Sequence, residues 1–312
     1  MGDPSGIGPE VIVKALANPE VGTLADFVVI GDREVLERAG KIENRTARIE
    51  GFKVIDLQNV DKRGFRFGEV NPAYGRASLE YIEKAMELIQ SHEIDCIVTG
   101  PVSKEAITLA GYAFIGHTEY IAKAFKAQGV VMMLLNEKLR VSLVTRHIPL
   151  KDVPRNITTK EIFKTVAQTA AGLRTYFGLT RPHLGVCGLN PHASDNGIIG
   201  DEEKCLITPA IEKAQRKGIM VSGPFPADTI FEKALNRRYD CVVCMYHDQG
   251  LIPLKLTGFS DCVNITLGLP CVRTSPGHGT AFDIAGKNKA NSSSFIHAIK
   301  IALQCAKNLK KT

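Results

Sequence analysis

Short apolar runs that alternate with amphipathic helical segments constrain the fold of this chain most. Residues 27–31, 96–99 and 239–245 have strand length, and polar residues, glycine or proline bound them. Between the first two, residues 78–92 repeat apolar side chains with the period of a helix. Strands that alternate with helices predict an α/β protein with a mainly parallel sheet.

The alternation of predicted strands and helices continues along the chain. Two runs separated by Asn136-Glu137-Lys138 predict an antiparallel hairpin over residues 130–135 and 139–145. We expect further strands at 52–57, 183–189 and 263–267, strand-like runs at 251–254 and 263–272, and helices at 33–39, 158–176, 201–218 and 292–309. A chain of 312 residues can form two such domains, the second in the middle of the chain.

Composition excludes several classes of function. The net charge is +6, and no dense basic run occurs beyond Lys310-Lys311. This charge favours an anionic small substrate over a nucleic-acid partner. No apolar stretch of about 18 residues is present to span a bilayer, and no secretory signal opens the chain. Most of the eight cysteines lie in strand-like runs, which suits buried thiols and a cytoplasmic location.

The chain opens with a glycine-rich loop, residues 1–8, followed by Pro9 and a helical segment. Such a loop can bind an anion at a helix start, but its spacing matches neither the dinucleotide nor the Walker pattern. A phosphoryl-transfer enzyme that uses this loop is therefore a minor alternative. A loop of this kind normally follows a strand, so we expect a first strand before Met1.

Histidines concentrate where strands are expected to end. Five of the eight lie in loops or at strand ends: His117, His147, His192, His247 and His278. Ligands of open α/β sheets bind at the carboxyl ends of the strands. Three neutral imidazoles with open positions suit a divalent metal such as zinc. The spacing forms no local chelate, so it does not identify which histidines bind.

Three further residues can hold anionic groups. Lys255, Asn264 and Arg273 follow His247, and Lys255 and Arg273 flank strand-like runs. Guanidinium and ammonium groups are the usual partners of phosphate and carboxylate.

The segment from His278 to Lys287 resembles the loop by which the β-decarboxylating dehydrogenases, isocitrate and isopropylmalate dehydrogenase, hold the adenosine end of NAD or NADP. The resemblance predicts a cofactor-binding segment formed by His278, Gly279, Thr280, Asp283, Ile284 and Gly286. Asn288 stands where that loop has a glycine.

Nearly the whole chain resembles the 4-hydroxythreonine-4-phosphate dehydrogenase (PdxA) family of pyridoxal phosphate biosynthesis. The matching strings include residues 2–10, 99–104, 116–119, 188–192, 226–229, 246–250, 263–266 and 273–275. The resemblance implies an isocitrate dehydrogenase-like α/β fold of two domains, with helices on both faces of the sheet and the active site in the interdomain cleft. We expect a cofactor-side domain at 1–110 and 250–312, and a metal, substrate and dimerisation domain at 111–249.

The family resemblance also implies roles for the candidate residues. His147, His192 and His247 would bind the divalent metal (zinc, magnesium, manganese or cobalt), with His247 donated by the partner subunit of a homodimer. The implied substrate-binding residues are His117, Thr118, Lys255, Asn264 and Arg273.

The implied reaction is oxidation of 4-phosphooxy-L-threonine by NAD, or NADP, to a β-keto acid that decarboxylates to 3-amino-2-oxopropyl phosphate. A metal would lower the pKa of the substrate hydroxyl, and Asp228 and Lys104 are hypotheses for the proton acceptor. Two alternatives remain: the same chemistry on 4-phospho-D-threonate or D-erythronate 4-phosphate, and a non-catalytic sugar-phosphate binding protein.

Overall fold

The computed structural model describes residues 1–42 and 53–311, which divide into two compact units. The first comprises Met1–Phe125 and Cys271–Leu303, and the second comprises Lys126–Pro270 and Gln304–Thr312. Both contain strands and helices, so the predicted α/β class is confirmed.

The strands of the described residues are, in chain order, β1 (Val28–Gly31), β2 (Lys53–Asp56), β3 (Cys96–Val98), β4 (Val131–Leu135), β5 (Arg140–Leu143), β6 (Leu184–Cys187), β7 (Val221–Phe225), β8 (Cys241–Cys244), β9 (Val263–Leu267) and β10 (Val272–Pro276). The predicted strand over 52–57 is β2, and its first residue lies outside the described part of the chain.

The α-helices of the described residues are, in chain order, α1 (Gly8–Leu16), α2 (Pro19–Gly22), α3 (Arg33–Ile42), α4 (Pro72–Gln90), α5 (Lys104–Leu109), α6 (His117–Ala124), α7 (Val153–Asn156), α8 (Thr159–Phe177), α9 (Thr208–Arg216), α10 (Ala227–Leu235), α11 (His247–Thr257) and α12 (Ser293–Leu309). Among them, none combines the length and apolar character needed to cross a bilayer.

The second unit is built on strands in the order β9-β4-β5-β8-β6-β7. β4 pairs antiparallel with β5 and with β9, which confirms the predicted hairpin. The pairs β5–β8, β8–β6 and β6–β7 are parallel, so the carboxyl ends of these strands lie at one edge. All four residues of β8 and of β6 are buried, as expected for the middle of a parallel sheet.

The first unit contains two parallel strand pairs, β1 with β2 and β3 with β10. Its longest internal helix, α4, begins where the sequence favours a start. The Asn71 side chain accepts a hydrogen bond from the Ala73 amide at 2.9 Å, and Pro72 occupies the first turn. A small apolar cluster of Leu79, Ile107 and Phe114 packs α5 and the segment before α6 against α4.

The unit boundaries differ from the expected domain boundaries in identifiable places. Residues 111–125 belong to the first unit because Phe114 and Tyr120 pack in the cluster with Leu79. Residues 250–270 belong to the second unit because β9 pairs with β4 along its whole length.

The strand-like reading of residues 251–254 is wrong, because they lie inside α11. Leu251 and Leu254 are buried, whereas Ile252 and Leu256 are exposed. This is the spacing of one buried helix face, and an apolar run this short does not distinguish a helix from a strand.

Gly75 provides a test of how α4 packs on α5. A methyl group at this position would overlap the Ala106 backbone. Gly75→Ala should therefore lower the free energy of unfolding by about 1–3 kcal/mol, although alanine favours a helix interior. The control is Gly22→Ala in α2, whose methyl group would meet only the Leu16 carbonyl oxygen at 3.7 Å. Urea denaturation measures both, and a Gly75→Ala chain as stable as the control would contradict this packing.

Candidate functional site

The carboxyl ends of β5 and β8 bring two candidate histidines together in the second unit. Beyond the paired strands, the Val144 amide donates to the Cys244 carbonyl at 2.9 Å, and the Thr145 amide donates to the Met245 carbonyl at 3.1 Å. Two residues further on, the rings of His147 and His247 lie with their centroids 5.6 Å apart. The parallel pairing of two buried strands therefore places both imidazoles side by side in one chain.

The orientation of His247 is set by its neighbour. Its Nδ1 atom lies 2.7 Å from the Asp248 carboxylate, which favours a proton on Nδ1 and a lone pair on Nε2. A carboxylate that orients a histidine in this way is common behind metal ligands.

Gln249 connects this edge to the neighbouring strand. Its side-chain oxygen accepts from the Met245 amide at 2.7 Å, and its Nε2 donates to the Gly188 carbonyl at 2.8 Å. The side chain is buried, so both bonds are shielded from water. Gln249 was not among the residues predicted for the site, and its position directly after His247 and Asp248 was the available signal.

His192 lies after β6, in a turn of unusual backbone geometry. Residues 192–196 all have positive φ, from 45° at Asp195 to 72° at Ser194. Each such residue costs about 1–2 kcal/mol unless other contacts offset it. The buried Glu203 carboxylate holds the chain just before this turn, since it accepts from the Leu189 and Asn190 amides at 2.8 and 2.7 Å.

The structure brings together two of the three predicted metal ligands. The His192 ring is 66% exposed on its side chain and contacts the Asp195 carboxylate at 3.0 Å. Within residues 1–42 and 53–311, no group of three or more His, Cys, Asp or Glu side chains is placed to hold a metal. The sequence resemblance assigned His247 to a partner, whereas here His247 lies beside His147 of its own chain. The ligand that stands apart is His192.

The remaining candidates of the second unit lie on three elements. Lys255 is in the last turn of α11, with its Nζ 5.4 Å from the centre of the Phe259 ring. Asn264 lies on β9, and its Oδ1 is buried without a hydrogen-bond partner among the described residues. Asp228 is exposed in the first turn of α10.

In the first unit, Arg273 is the largest polar side chain of the core. It lies on β10, is 1% exposed, and donates from Nη2 to the Thr99 hydroxyl at 2.6 Å. Burial lowers the pKa of its guanidinium to about 10, while the Glu119 carboxylate acts in the opposite direction. The group is therefore still cationic at neutral pH, and a buried cation of this kind suits a phosphate or carboxylate ligand.

His117 begins α6 and is held neutral. Burial, followed by the nearby charges of Arg273, the terminal amino group and Lys104, keeps its pKa well below the ordinary value. Its Nε2 is buried and has no hydrogen-bond partner in the part of the chain that the structure describes. A buried polar atom without a partner costs about 1–3 kcal/mol, so this nitrogen fits a site for a ligand group.

The other two candidates near the start of α6 differ in exposure. Thr118 is 2% exposed, whereas Lys104 is exposed at the first position of α5. The Lys104 side chain and the Glu119 carboxylate both approach Gly116, which precedes α6. Lys104 therefore lies on the same side of the unit as His117.

The predicted cofactor segment follows β10 in the first unit. His278 and Thr280 are partly buried, and Gly279 and Asp283 are exposed. The His278 Nδ1 lies 3.1 Å from the Gly279 carbonyl, and burial lowers the pKa of the ring. Its Nε2 is buried without a hydrogen-bond partner among the described residues. Ile284 and Gly286 complete the predicted set, and both are partly buried.

A cavity of about 970 Å³ also lies in the first unit. Its lining includes Thr99, Gly100 and His117 together with apolar side chains such as Val29, Ile82 and Ile299. Of the predicted substrate-binding residues only His117 lines it, so we do not assign this cavity to the substrate.

The chain is similar to known dehydrogenases along its whole length. The family model described as "Pyridoxal phosphate biosynthetic protein PdxA" matches residues 23–302. A 4-hydroxythreonine-4-phosphate dehydrogenase of Desulforapulum autotrophicum is 46% identical, over 97% of this chain and 93% of that protein. A protein of Fusobacterium nucleatum, provisionally named D-threonate 4-phosphate dehydrogenase, is 40% identical over 99% and 97%.

Solved structures of the same enzyme class are also similar to this chain. The crystal structure of 4-hydroxythreonine-4-phosphate dehydrogenase from Klebsiella pneumoniae superposes with a TM-score of 0.88 at 41% identity, covering 98% of this chain and 96% of that one. These names confirm the predicted class of enzyme, an oxidoreductase. The chain belongs to the PdxA family.

Proposed function

We propose that this enzyme oxidises 4-phosphooxy-L-threonine with NAD and a divalent metal, and that the β-keto acid formed decarboxylates to 3-amino-2-oxopropyl phosphate. The observation that carries the proposal is the His147–His247 pair at the carboxyl ends of two parallel strands, in a chain whose relatives bear the name of this activity. This places the enzyme in pyridoxal phosphate biosynthesis.

The donor set fits a divalent metal. Two imidazoles 5.6 Å apart between ring centres can direct nitrogen lone pairs at one ion, and the Asp248 carboxylate keeps the His247 Nε2 available. His192 would supply a third nitrogen, which gives the three-histidine ligand set of catalytic zinc sites with an open coordination position. The same set could also bind cobalt, manganese or magnesium. When bound, the metal would lower the pKa of the substrate hydroxyl and polarise the ketone.

The substrate carries a phosphate and a carboxylate, and the candidate residues complement both. Arg273 and Lys255 supply positive charge, while the buried His117 Nε2 and Asn264 Oδ1 offer an acceptor or donor to polar substrate groups. Thr118, buried beside His117, adds a hydroxyl. The positive charges hold the anionic substrate, and the neutral groups orient it.

Two steps remain for the protein and its cofactor. NAD would accept the hydride, with its adenosine end held by the segment of His278, Gly279, Thr280, Asp283, Ile284 and Gly286. Asp228 or Lys104 would take the hydroxyl proton, and the exposure of both side chains leaves them accessible to water for its release.

A second candidate substrate class keeps the chemistry. The Fusobacterium relative is named for D-threonate 4-phosphate, and it covers the chain as fully as the hydroxythreonine relatives do. 4-Phospho-D-threonate and D-erythronate 4-phosphate share the phosphate, the carboxylate and the oxidised hydroxyl, so the same residues would bind them.

We further propose a homodimer in which the partner subunit completes the metal site through His192. Exposed apolar side chains support a contact surface on the three histidine-bearing segments. They are Leu150 after His147, Ile198 after His192, and Leu256 on α11, exposed by 68%, 85% and 82%. An interface would remove these three side chains from water. All eight cysteines are thiols, which supports a reducing cytoplasmic location.

The function is tested by following NADH formation with each of the three phosphorylated substrates. We expect turnover with 4-phosphooxy-L-threonine and its loss on EDTA treatment, because removal of the metal leaves the hydroxyl pKa too high. Zinc or cobalt added back should restore the rate. Preference for either sugar-acid phosphate would transfer the enzyme to the second class. No NADH with any of the three would contradict a dehydrogenase and favour a binding protein.

Mixing inactive variants tests which histidine crosses the interface. After subunit exchange, His192→Ala and His247→Ala chains should regain about a quarter of the wild-type rate, because half of the dimers are mixed and each has one complete site. A His147→Ala and His247→Ala mixture should stay inactive, since both residues belong to one chain's pair. Recovery in this second mixture would show that His147 and His247 come from different subunits. Failure of both mixtures, with exchange verified, would exclude a shared site.

A further inference from the structure

The glycine-rich loop that opens the chain contacts the predicted cofactor segment directly, within the first unit. The Ile7 amide donates to the Thr280 carbonyl at 2.9 Å. Gly6 lies so close that a methyl group there would stand 3.0 Å from the same oxygen and 3.1 Å from the Thr280 Cβ. The loop thus packs directly against Thr280, and a side chain at Gly6 would crowd this close approach.

The chain three residues beyond the cofactor segment is held by a buried ion pair on α1. Glu10 accepts a hydrogen bond through Oε1 from the Ala290 amide at 2.8 Å, and the Lys14 ammonium lies 2.9 Å from the same oxygen. Lys14 also donates to the Ala290 carbonyl at 2.8 Å. Both backbone polar groups of Ala290 are therefore bound by oppositely charged side chains one helical turn apart.

The groups that form this contact are largely shielded from water. The side chains of Glu10 and Lys14 are 2% and 15% exposed, and Ala290 is 4% exposed. Hydrogen bonds to charged groups exceed neutral ones in strength, and a shielded ion pair loses little to solvent. Removal of one partner would leave the other charge buried without compensation, so the two act together.

We propose that Glu10 and Lys14 are positioning residues for the dinucleotide cofactor: they fix Ala290 and so hold residues 278–290 in the binding conformation before NAD arrives. The inference rests on the proposed function for the identity of that segment. It assigns the opening loop and helix to cofactor positioning, instead of the phosphate binding that a glycine-rich loop first suggests. A preformed segment lowers the entropic cost of binding.

The backbone turns at Asn288, just before the contact at Ala290. Asn288 has a φ of 58°, in the left-handed region, and it precedes Ala290 by two residues. The loop therefore turns sharply just before the Glu10–Lys14 contact. A fixed point directly after such a turn prevents the backbone from relaxing into the many conformations open to an exposed loop.

The experiment compares wild type with Glu10→Gln, and with Gly75→Ala as a control that destabilises the same unit away from this loop. Hydrogen–deuterium exchange of peptides spanning 278–290 is measured without ligand, and NADH affinity is measured by fluorescence titration without substrate. Glutamine keeps an oxygen for the Ala290 amide but loses the ion pair with Lys14. We expect Glu10→Gln to speed exchange in this segment and to raise the Kd for NADH by about tenfold each. The control should change neither.

Each outcome decides the proposal. Unchanged exchange in Glu10→Gln would show that the ion pair does not hold the segment, and faster exchange with unchanged NADH affinity would show that the held conformation does not serve the cofactor. Equal effects in the Gly75→Ala control would show that general destabilisation of the unit causes the change, and would also overturn the proposal. Wild-type protein that fails to bind NADH would contradict the proposed function itself, a failure that is visible before any variant is compared.

Discussion

The parallel pairing of β5 with β8 is the interaction on which the candidate site depends. The strands are about a hundred residues apart in the chain, yet their backbone hydrogen bonds continue past the last paired residues through Thr145 and Met245. A shift of one residue in this register would turn one of the two histidines to the opposite face. The Gln249 side chain adds two buried bonds that join the same edge to β6. The scaffold thus fixes two candidate metal ligands at the ends of a largely buried strand pair.

Some of the buried polar atoms without a hydrogen-bond partner among the described residues belong to side chains that the sequence resemblances assign to substrate or cofactor, whereas others, such as Asn59 Oδ1 and Thr169 Oγ1, do not. His117 Nε2, Asn264 Oδ1 and His278 Nε2 are buried in this way among the described residues. Each costs stability in the protein alone, and a bound substrate or cofactor that supplies the partner would recover that cost. The same reasoning accounts for Arg273, whose buried cation favours an anionic ligand. At these positions the unliganded chain is less stable than it could be, and ligand binding would stabilise it.

Much of this could be predicted from the sequence, and the failures have physical causes. Apolar runs located most strands, and the placement of His147 and His247 at strand ends followed from them. That these two ends are neighbours depends on a pairing between distant segments, which no local pattern encodes. Residues 251–254 were misread because four apolar residues fit either a strand or a helix. The left-handed turn of residues 192–196 contains only non-glycine residues, so no glycine within it indicated positive φ angles in the sequence.

The proposed site requires that His147 and His247 of one chain bind the same metal ion. Anomalous diffraction from crystals grown with zinc or cobalt tests this requirement, because it locates the ion relative to each ring. We expect one ion within bonding distance of both rings of the same chain, about 2.0–2.1 Å from a nitrogen of each. An ion bound to His247 of one chain and His147 of another, or an ion that contacts neither, would contradict this requirement.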